Sequence, residues 1–581
     1  MRWRLRTVSD EGVVADLAAA AKLPVLIARL LVRRGLTRPE EARAFFSPDF
    51  ADLHSPYEML GMAPAVERVW AAVVRKEKIL IYGDYDVDGT IAIVILKTSI
   101  ELCGGACDFH VPHRLQEGYG MKDEVIERAA GAGVRLIISV DTGISAFTAA
   151  QTAQRLGLDL VVTDHHLPHA EGVPQAVAVL DPNQTGCSYP CKTLCGAGVA
   201  FKLAQALLEK AGLARLLPSF LKMVAIATIA DAVPLLGENR VIAKLGLEGL
   251  RHPVNPGLKA LLDVAQLGHR RALAAAEVAF RLAPRLNAAG RMDVARAVVD
   301  LFCVRDGAQA REIAERLNRL NLERQQEEQR IVQEIEARIA ADESLRQAWC
   351  MVIDGEDWHK GVIGIAATRL VERYCRPVLV ITRHGPEAQG SARSIDAFHL
   401  LEALESCAHL FTRFGGHAHA AGFALPSERI PELRAVLEDR ARACLRREDL
   451  QLTLHYDAEI ALSQVTPELH AQLRRLEPFG MGNPEPVLVA RQVRLARPPR
   501  VVREKHLKLR LDPGEQPNLR AEPGNYCRGF DALGWRMAER LQTQPLAAGD
   551  FLDVAFALTE NPHPEFGGLE LSVCDYVKCG N

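Results

Sequence analysis

The amino-acid sequence predicts an α/β protein whose first large domain contains a parallel sheet. Between residues 78 and 181, short apolar runs alternate with helical runs, which is typical of βαβ units and parallel strands. After about residue 450 the runs become short alternating strands separated by turn residues, as in a small β-barrel. With 581 residues, of which 48% are hydrophobic, the chain exceeds what a single core accommodates. We therefore expect several domains.

Five segments follow from these patterns. They are 1–50 (helical and basic), 51–304 (parallel-sheet domain), 305–345 (connecting helix), 346–446 (second α/β domain, with a glycine-rich loop at 414–425) and 447–581 (β-barrel, with a surface loop near 515–526). The connecting helix is predicted from a highly charged stretch, 305–343, with no Gly or Pro after Gly307. A solvated surface helix or a coiled-coil segment is the alternative interpretation.

Composition narrows the class of protein without deciding its partner. The formal net charge of −3 neither supports nor excludes nucleic acid, because a binding surface is a local feature. The 13 cysteines are scattered and odd in number, which favours a reducing cytoplasm over a disulfide framework. No secretory signal is visible, and no stretch approaches the roughly 20 apolar residues that span a bilayer. We therefore expect a cytoplasmic protein with no membrane partner.

The motif DYDVDG at 84–89 places three carboxylates, those of Asp84, Asp86 and Asp88, directly after an apolar strand. Carboxylates this close repel one another, and a bound cation relieves the repulsion. A solvated acidic loop is one alternative. A calcium loop of the EF-hand kind is another, but an apolar strand precedes the motif and its twelfth position is not Glu. Gly89 permits a tight turn into the helical run that follows.

Acidic and histidine residues follow later apolar runs as well. Asp141 follows IISV, the triplet Asp-His-His at 164–166 follows LVVT, and Asp231 follows MVAIATIA. Ligands of open parallel sheets sit at the carboxyl ends of the strands, so we expect these side chains in one crevice. Carboxylate and imidazole together suit manganese, magnesium or zinc. The sequence therefore predicts a catalytic metal site made of Asp84, Asp86, Asp88, Asp141, His165, His166 and Asp231.

These motifs resemble those of the DHH phosphoesterase superfamily, and the chain is similar over essentially its whole length to the RecJ exonucleases within it. The stretches that carry the resemblance to RecJ are HRLQEGYG (113–120), LCGAGVAFKLA (194–204), APRLNAAGRM (283–292), WHKGVIGIAATRL (358–370), GSARS (390–394), GGHAHAAG (415–422) and LEPFGMGNPEP (476–486). The resemblance implies a parallel-sheet DHH domain, joined by a long helix to a second α/β DHH-associated domain and followed by an OB-fold β-barrel.

The resemblance also implies two divalent cations, Mn²⁺ or Mg²⁺. One would be held by Asp88, Asp141, His165 and Asp231. The other would use Asp86 and share Asp141. Smaller superfamily members carry a His where this chain has Tyr82, so the remaining ligands of the second cation stay open, with Asp84 as a candidate. His166 is the candidate for contacting the scissile phosphate or tuning the metal ligands.

The activity implied is that of a metal-dependent exodeoxyribonuclease. It would hydrolyse single-stranded DNA 5′→3′ to nucleoside 5′-monophosphates by two-metal catalysis, in DNA repair and recombination. The polarity comes from the resemblance alone. The implied partners are single-stranded DNA with a 5′ end, single-strand-binding protein and a RecQ-type helicase. We expect a monomer in the bacterial cytoplasm, without the extra C-terminal domain of some relatives.

Substrate-binding residues are also implied by the resemblance. They are Arg114, Ser391 and Arg393 toward the 5′-phosphate end, Tyr119 in the stretch that follows Arg114, Arg285, Asn287 and Arg291 along a cleft between lobes, and His417 in a phosphate-binding glycine loop. Surface ion pairs and a packed turn are the alternatives. Eight Lys or Arg residues between 491 and 510, against the single acid Glu504, predict a barrel face that tracks a single strand, unless they are merely solvated.

Other functions stay open at this point. A short-oligonucleotide or cyclic-dinucleotide phosphodiesterase, or an inorganic pyrophosphatase, is disfavoured by the length and by the barrel. A DNA-binding member without activity is disfavoured by the nearly complete set of acidic and His positions. A dinucleotide-binding domain is disfavoured because no Gly-x-Gly-x-x-Gly follows the first strand. Cys187, Cys191 and Cys195 have a spacing that zinc accepts, but no fourth ligand is evident.

Overall fold

Five strands form the parallel sheet that the alternating pattern predicts. In spatial order they are Cys107–His110, Lys78–Tyr82, Val134–Val140, Asp159–Thr163 and Ala178–Leu180, and every neighbouring pair is parallel. The chain runs outward from Lys78–Tyr82 to one edge and then returns to build the other side. The switch point of this first sheet therefore lies between Lys78–Tyr82 and Val134–Val140, where a ligand crevice is expected.

The computed structural model describes residues 1–114, 116–268, 272–513, 529–561 and 567–579. The predicted surface loop near 515–526 lies outside the described residues. Two compact units result: the barrel unit, made of Met1–Asp52, Pro234–Leu236 and Thr453–Asn581, and the two-sheet unit, made of Leu53–Val233 and Gly237–Leu452. Within the described ranges, no helix is both long enough and apolar enough to cross a bilayer.

Helices surround the first sheet, whose strands are almost continuously buried and apolar, as two-sided parallel sheets require. They are Met62–Arg75, Val87–Leu102, Asp123–Gly131, Phe147–Arg155, Gly196–Lys210, Leu221–Ala230, Gly237–Gly249, Pro256–Val264, Ala275–Glu277, Ala283–Met292 and Arg296–Cys303, with a π-helical turn at Val278–Leu282. Val87–Leu102 and Leu221–Ala230 are apolar on nearly all sides because both are buried in this core.

The connecting helix spans Gly307–Ala341 and begins at the N-cap Asp306, whose side chain accepts a hydrogen bond from the Gln309 N–H. Its buried side chains recur at helical spacing and bury one stripe of an otherwise charged helix. They are Ala310, Ala314, Leu317, Asn321, Arg324, Glu328, Ile331, Ile335 and Ile339. The last three isoleucines belong to a core of the second lobe, the part of the two-sheet unit that follows the connecting helix. The helix is therefore packed along its length, and the solvated-helix alternative is wrong.

A second, mixed sheet follows the connecting helix. Its strands in spatial order are Arg413–Gly416, Ala420–Pro426, Glu387–Arg393, Val378–His384 and Met351–Glu356, and only the last two run parallel. Its helices are Glu343–Gln347, Ile363–Tyr374, Leu400–Glu405 and Ile430–Cys444. The predicted glycine-rich loop at 414–425 is wrong as a loop, because antiparallel pairing of Gly415 with Gly422 makes most of it a β-hairpin.

In the barrel unit, the strands close on themselves. Their order is Ala458–Glu459, Leu488–Leu495, Phe551–Asn561, Gly568–Lys578, Phe530–Gly534, His506–Asp512 and Arg500–Val502, and Leu488–Leu495 also pairs with His506–Asp512. That extra pairing completes a ring of five strands. The short helices Pro467–Arg474 and Arg540–Thr543 accompany it.

The N-terminal segment belongs to the barrel unit. Its helices, Glu11–Ala21, Val25–Val32 and Pro39–Phe46, share the barrel's hydrophobic core. The all-helical prediction for 1–50 is wrong at its start, because Arg2–Leu5 is a strand that pairs in parallel with Thr453–Tyr456. The two strands are far apart in the sequence, so no local pattern indicates the pairing. The buried Asp457 carboxylate, paired with Arg33 and 3.6 Å from Arg6, fastens the segment.

A fully buried ion pair stabilises the first lobe, the part of the two-sheet unit that precedes the connecting helix. Lys202 Nζ lies 3.0 Å from Glu238 Oε1 and also donates to the His54 carbonyl at 2.6 Å. The other Glu238 oxygen accepts from the Tyr189 hydroxyl at 2.6 Å, and Oε1 also accepts from the His54 N–H. Both charges are therefore satisfied by several partners, which is the condition under which a buried pair is tolerated.

We predict that Glu238→Ala destabilises the protein by about 3–5 kcal/mol, because it leaves the Lys202 ammonium buried without its counter-charge. Guanidinium unfolding of the full chain would measure the change. Glu67→Ala removes an exposed partner of Lys210 and should change stability by less than about 1 kcal/mol. Equal, small effects of both variants would contradict the structural role of the pair.

Candidate metal centre

The strand Lys78–Tyr82 brings the acidic motif to the switch point of the first sheet. Asp84 is buried there. Asp86 is the N-cap of the next helix, and its side chain accepts a hydrogen bond from the Gly89 N–H at 3.0 Å. Position 89 requires glycine, because a Cβ there would lie 2.7 Å from the Asp84 backbone nitrogen. The turn is therefore tight enough to fold the carboxylates of the motif toward one another.

Asp88 is buried in the first helical turn and caps a second helix. Its carboxylate accepts hydrogen bonds from the Gly196 and Ala197 N–H groups at 2.6 and 2.9 Å. A Cβ at position 196 would lie 2.5 Å from Asp141 Oδ1, so only glycine fits. Gly196 thus lets Asp88 and Asp141 meet at a helix N-terminus, where the helix dipole favours negative charge.

Asp141 and His165 join the remaining carboxylates. Asp141 ends its strand in the left-handed region, at φ 58°, a strained conformation that is concentrated at functional sites. His165 Nε2 lies 3.2 Å from Asp141 Oδ1, 3.8 Å from Asp88 Oδ2 and 4.0 Å from Asp231 Oδ2. One imidazole is therefore placed among carboxylates from three separate elements.

Three sets of side chains bring ligand atoms within 4.8 Å of one another. They are Asp84, Asp86 and Asp141; Asp88, His165 and Asp231; and Asp141, His165 and His166. Asp141 and His165 each belong to two sets. All seven residues predicted from the sequence are thereby gathered in one place.

The donor set fits divalent cations, because several of its carboxylates are buried close together and two of their oxygens have no hydrogen-bond partner among the described residues. Burial and Asp86 raise the pKa of Asp84 well above its usual range, and burial with Asp88 and other aspartates does the same for the pKa of Asp141. Burial and Asp88 raise the pKa of Asp231 to about 9. The buried Oδ1 atoms of Asp84 and Asp141 accept no hydrogen bond from any described residue. Hard oxygen donors with free lone pairs are what Mg²⁺ and Mn²⁺ bind.

His166 is oriented by a residue that the predicted set omits. Its Nδ1 lies 2.7 Å from Asp164 Oδ1, and Asp164 also accepts hydrogen bonds from the His165 and Ile144 N–H groups. Although burial opposes it, the Asp164 carboxylate raises the pKa of His166 to about 9. The Tyr119 hydroxyl lies 3.4 Å from His166 Nδ1. In the sequence, Asp164 could have been recognised because it is the first residue of the triplet Asp-His-His at 164–166.

Asp181 is a second omission, at the carboxyl end of the strand Ala178–Leu180. It is fully buried, and its Oδ1 accepts from the Asn183 N–H at 2.7 Å. Asn183 in turn donates to the His165 carbonyl at 2.8 Å, so this turn supports the histidine from behind. Its position after a strand was the only sequence signal.

Tyr82, which stands where smaller superfamily members have His, takes no part in the carboxylate cluster. Its hydroxyl donates to the Gly120 carbonyl at 3.3 Å and accepts from the Lys122 N–H at 3.2 Å. The side chain is fully buried. Tyr82 therefore fixes the loop that carries Tyr119.

Three arginines lie within electrostatic reach of Arg291, which itself lies near Asp86 of the acidic motif. Burial, with the neighbouring Arg114, Arg324 and Arg393, lowers the pKa of Arg291 to about 10. The guanidinium of Arg114 lies 4.9 Å from the centre of the Tyr85 ring, and that of Arg393 donates to Ser391 Oγ at 3.2 Å. Arg324 comes from the connecting helix. In the sequence, only its position in the helical pattern could have indicated that it faces inward.

The cleft residues predicted from APRLNAAGRM separate into two groups. Asn287 accepts from the Val87 N–H, within the acidic motif, at 3.1 Å. Arg291 donates to the Gly361 carbonyl at 3.2 Å and lies within electrostatic reach of Asp86. Arg285 instead donates to Asn318 of the connecting helix at 2.9 Å. Residues two apart point to different sides of a helix. Arg285 is therefore not brought together with the other two.

His417 lies in the hairpin of the second sheet and lines a cavity together with Arg114, Tyr119 and Ser391. Cys187, Cys191 and Cys195 do not form a metal site of this kind. Among the described residues, no group of side chains that could hold a metal ion contains a cysteine. The buried Cys195 instead contacts Thr228.

The basic run of the barrel unit is only partly available for a ligand. Arg491 pairs with Glu459 and Asp553, Arg494 with Asp512, and both Lys508 and Arg510 with Asp531. Arg497, Arg500, Arg503 and Lys505 make no ion pair with any described residue. Near them, the exposed Trp535 packs edge-on against His506, with ring centres 4.7 Å apart.

Three family models match the chain in order. The "DHH family, N-terminal domain" matches residues 78–228, the "DHHA1 domain" matches 346–443, and the "RecJ OB domain" matches 456–575. The predicted fold class, a parallel-sheet DHH domain joined by a long helix to an α/β DHH-associated domain and followed by an OB-fold barrel, is confirmed. The exact domain boundaries stay predictions.

Curated and solved relatives agree with these models. The single-stranded-DNA-specific exonuclease RecJ of Bacillus subtilis (strain 168) is 40% identical over 85% of this chain, which spans only 62% of that relative. The protein of the same name from Dickeya dadantii (strain 3937) is 36% identical over 84% of this chain and 87% of its own length. The crystal structure of RecJ in complex with Mn²⁺ from Thermus thermophilus matches at a TM-score of 0.83 and 28% identity, covering 100% of this chain and 80% of that one. On this identity and coverage, the chain belongs to the RecJ family.

Proposed function

We propose that this protein is a metal-dependent, single-stranded-DNA-specific exonuclease that works 5′→3′ and releases nucleoside 5′-monophosphates. The observation that carries the proposal is the convergence of five aspartates and two histidines at the switch point of the first sheet. Relatives of the same family are named single-stranded-DNA-specific exonucleases, and one was crystallised with Mn²⁺.

Two divalent cations, Mn²⁺ or Mg²⁺, would be held by the clustered side chains. Asp88, His165 and Asp231 form one set and Asp84, Asp86 and Asp141 the other, with Asp141 in reach of both. Such ions supply a nucleophile at neutral pH and stabilise the oxygens of an in-line displacement.

The remaining side chains orient the strand. Arg114, Ser391 and Arg393 bind the 5′-phosphate, for which an arginine fork and a hydroxyl are suited. His166, held by Asp164, contacts the scissile phosphate. Asn287 positions the acidic motif through the Val87 N–H, while Arg291 adds positive charge beside it.

In the barrel unit, the exposed Trp535 and nearby cations that pair with no described carboxylate bind the single strand. Aromatic rings stack on any base, and free Lys or Arg side chains follow the phosphates. Binding of this kind tolerates sequence and weakens with salt. Arg503 and Lys505, in the turn next to His506, are the cations placed to assist.

We propose that the protein acts as a monomer in the bacterial cytoplasm, in DNA repair and recombination. Single-strand-binding protein and a RecQ-type helicase are its proposed partners, because a single-strand exonuclease requires separated strands.

The first test is hydrolysis of single-stranded oligonucleotides labelled at either end, with Mn²⁺ or Mg²⁺. Wild type should release the 5′-labelled mononucleotide first. Asp141→Asn should lower the rate by at least about 100-fold, since changes behind the ligands alone cost 10–100-fold. Glu209→Gln, an exposed change in the same lobe, should have no effect. Release of the 3′ label first would refute the polarity, and cleavage of only di- or trinucleotides would indicate a short-oligonucleotide phosphodiesterase.

A second prediction concerns stability. Without divalent ions, Asp84→Asn should stabilise the protein by about 1 kcal/mol or more, because it removes a buried, uncompensated charge. Mn²⁺ should raise the thermal midpoint of wild type more than that of the variant, since binding to the folded state stabilises it. Glu124→Gln, at an exposed position, should change neither value. Destabilisation by Asp84→Asn without ions would contradict the charge argument.

A third prediction concerns the barrel unit. Trp535→Ala should weaken binding of single-stranded DNA by about 10-fold, because one base–aromatic stack contributes about 1–3 kcal/mol. Fluorescence anisotropy in an Asp141→Asn background would measure binding without cleavage. Val577→Ala removes an exposed apolar side chain of the same barrel and serves as control. Unchanged affinity for Trp535→Ala would exclude the stacking role.

A further inference from the structure

A cavity of about 780 Å³ adjoins the residues that bind the 5′-phosphate under the proposed function. Arg114 and Tyr119 of the first lobe line it together with Ser391, Arg413 and His417 of the second sheet and Lys360. Cavities of roughly 300–1,000 Å³ accommodate whole drug-sized ligands. The space is therefore far larger than a single phosphate group needs.

The cavity is positively charged. None of the described residues that line it is acidic. Arg114, Lys360 and Arg413 make no ion pair with any described residue. A neighbouring cavity of about 590 Å³, which shares Lys360, is lined by Glu323, Glu327 and Asp357 instead. The contrast marks the larger cavity as a site for a polyanion.

Two glycines keep this space open. Gly415 and Gly422 face each other across the hairpin and line the cavity. A Cβ added to either would meet nothing within 4 Å, and neither has a positive φ. Neither packing nor backbone conformation requires glycine there. The missing side chains leave room instead.

We propose that this cavity binds a 5′-triphosphate, so that the protein also processes strands whose first nucleotide keeps the triphosphate of its precursor. The inference rests on the proposed function and extends its substrate class. The phosphate nearest the sugar lies at Arg114, Ser391 and Arg393. The outer two phosphates extend toward Lys360, Arg413 and His417, which a monophosphate leaves unused.

The chemistry is the hydrolysis already proposed. Water adds to the phosphorus between the first and second nucleotides, and the bond to the O3′ of the first nucleotide breaks. The O3′ takes a proton and leaves as a hydroxyl. The products are a free nucleoside 5′-triphosphate and a strand shortened by one, which carries a 5′-monophosphate. No bond within the triphosphate breaks, so no pyrophosphate is released.

The connection between the cavity and the metal centre is direct. Tyr119 lines the cavity and places its hydroxyl 3.4 Å from His166. Arg114 lines it as well and lies over the ring of Tyr85, within the acidic motif. A terminus held in the cavity is thus next to the site of hydrolysis.

The test compares steady-state cleavage of one oligonucleotide sequence with a 5′-hydroxyl, 5′-monophosphate or 5′-triphosphate end. Wild type should cut the triphosphate strand at a rate within about 3-fold of the monophosphate strand and release the nucleoside triphosphate first. The double variant Lys360→Gln/Arg413→Gln should lower the ratio of triphosphate to monophosphate kcat/KM by at least 10-fold. Gly422→Val, which fills the cavity, should lower the same ratio. Arg429→Gln, an exposed arginine paired with Glu432, should leave it unchanged.

The inference is overturned if wild type cuts the monophosphate strand but not the triphosphate strand, if pyrophosphate appears first, or if neither variant changes the ratio. If the monophosphate strand is not cleaved either, the proposed function is wrong, and this inference, which rests on it, is wrong as well. Because the ratio is internal to each variant, a partly misfolded preparation lowers both rates and does not imitate the expected result.

Discussion

Mutual repulsion among buried carboxylates is the constraint around which the first lobe is built. Asp84, Asp88 and Asp141 approach one another only because Gly89 and Gly196 remove the side chains that would separate them. The left-handed backbone of Asp141 adds a further local cost. None of these features improves the folded state by itself. They suit a site whose ligand is positively charged, because a cation offsets the repulsion among the carboxylates.

Residues outside the carboxylate cluster have to hold such a site in place. Asp164 fixes His166 and the turn at Ile144. On another side of the lobe, the Lys202–Glu238 pair joins three segments without contributing to the charge of the cluster. Carboxylates that repel one another stay close together only if the residues around them are rigid. Even a small relaxation would move the ligand atoms apart.

The sequence was informative where local pattern and function coincide. The strand–motif–helix order at 78–102 and the Asp or His residues after later strands predicted the sheet and the seven clustered residues. Prediction from the sequence failed where a strand or side chain interacts with a residue far away in the chain. The sequence of Arg2–Leu5 alone predicts no particular element, and this segment is a strand because it pairs with Thr453–Tyr456. Arg324 resembles any other charged residue of a long helix, and the role of Asp164 depends on a hydrogen bond that no spacing predicts.

Pairing explains why charge counting misleads in this protein. Half of the basic run between 491 and 510 is neutralised by Glu459, Asp512, Asp531 and Asp553, which come from other strands. The arginines beside the acidic motif are the opposite case, since Arg114 and Arg393 lack carboxylate partners among the described residues although the chain as a whole is slightly acidic. An unpaired guanidinium in a cleft is available to a phosphate, whereas a paired one first has to leave its carboxylate. Local pairing, rather than the net charge of −3, therefore decides which cations are available to a polyanion.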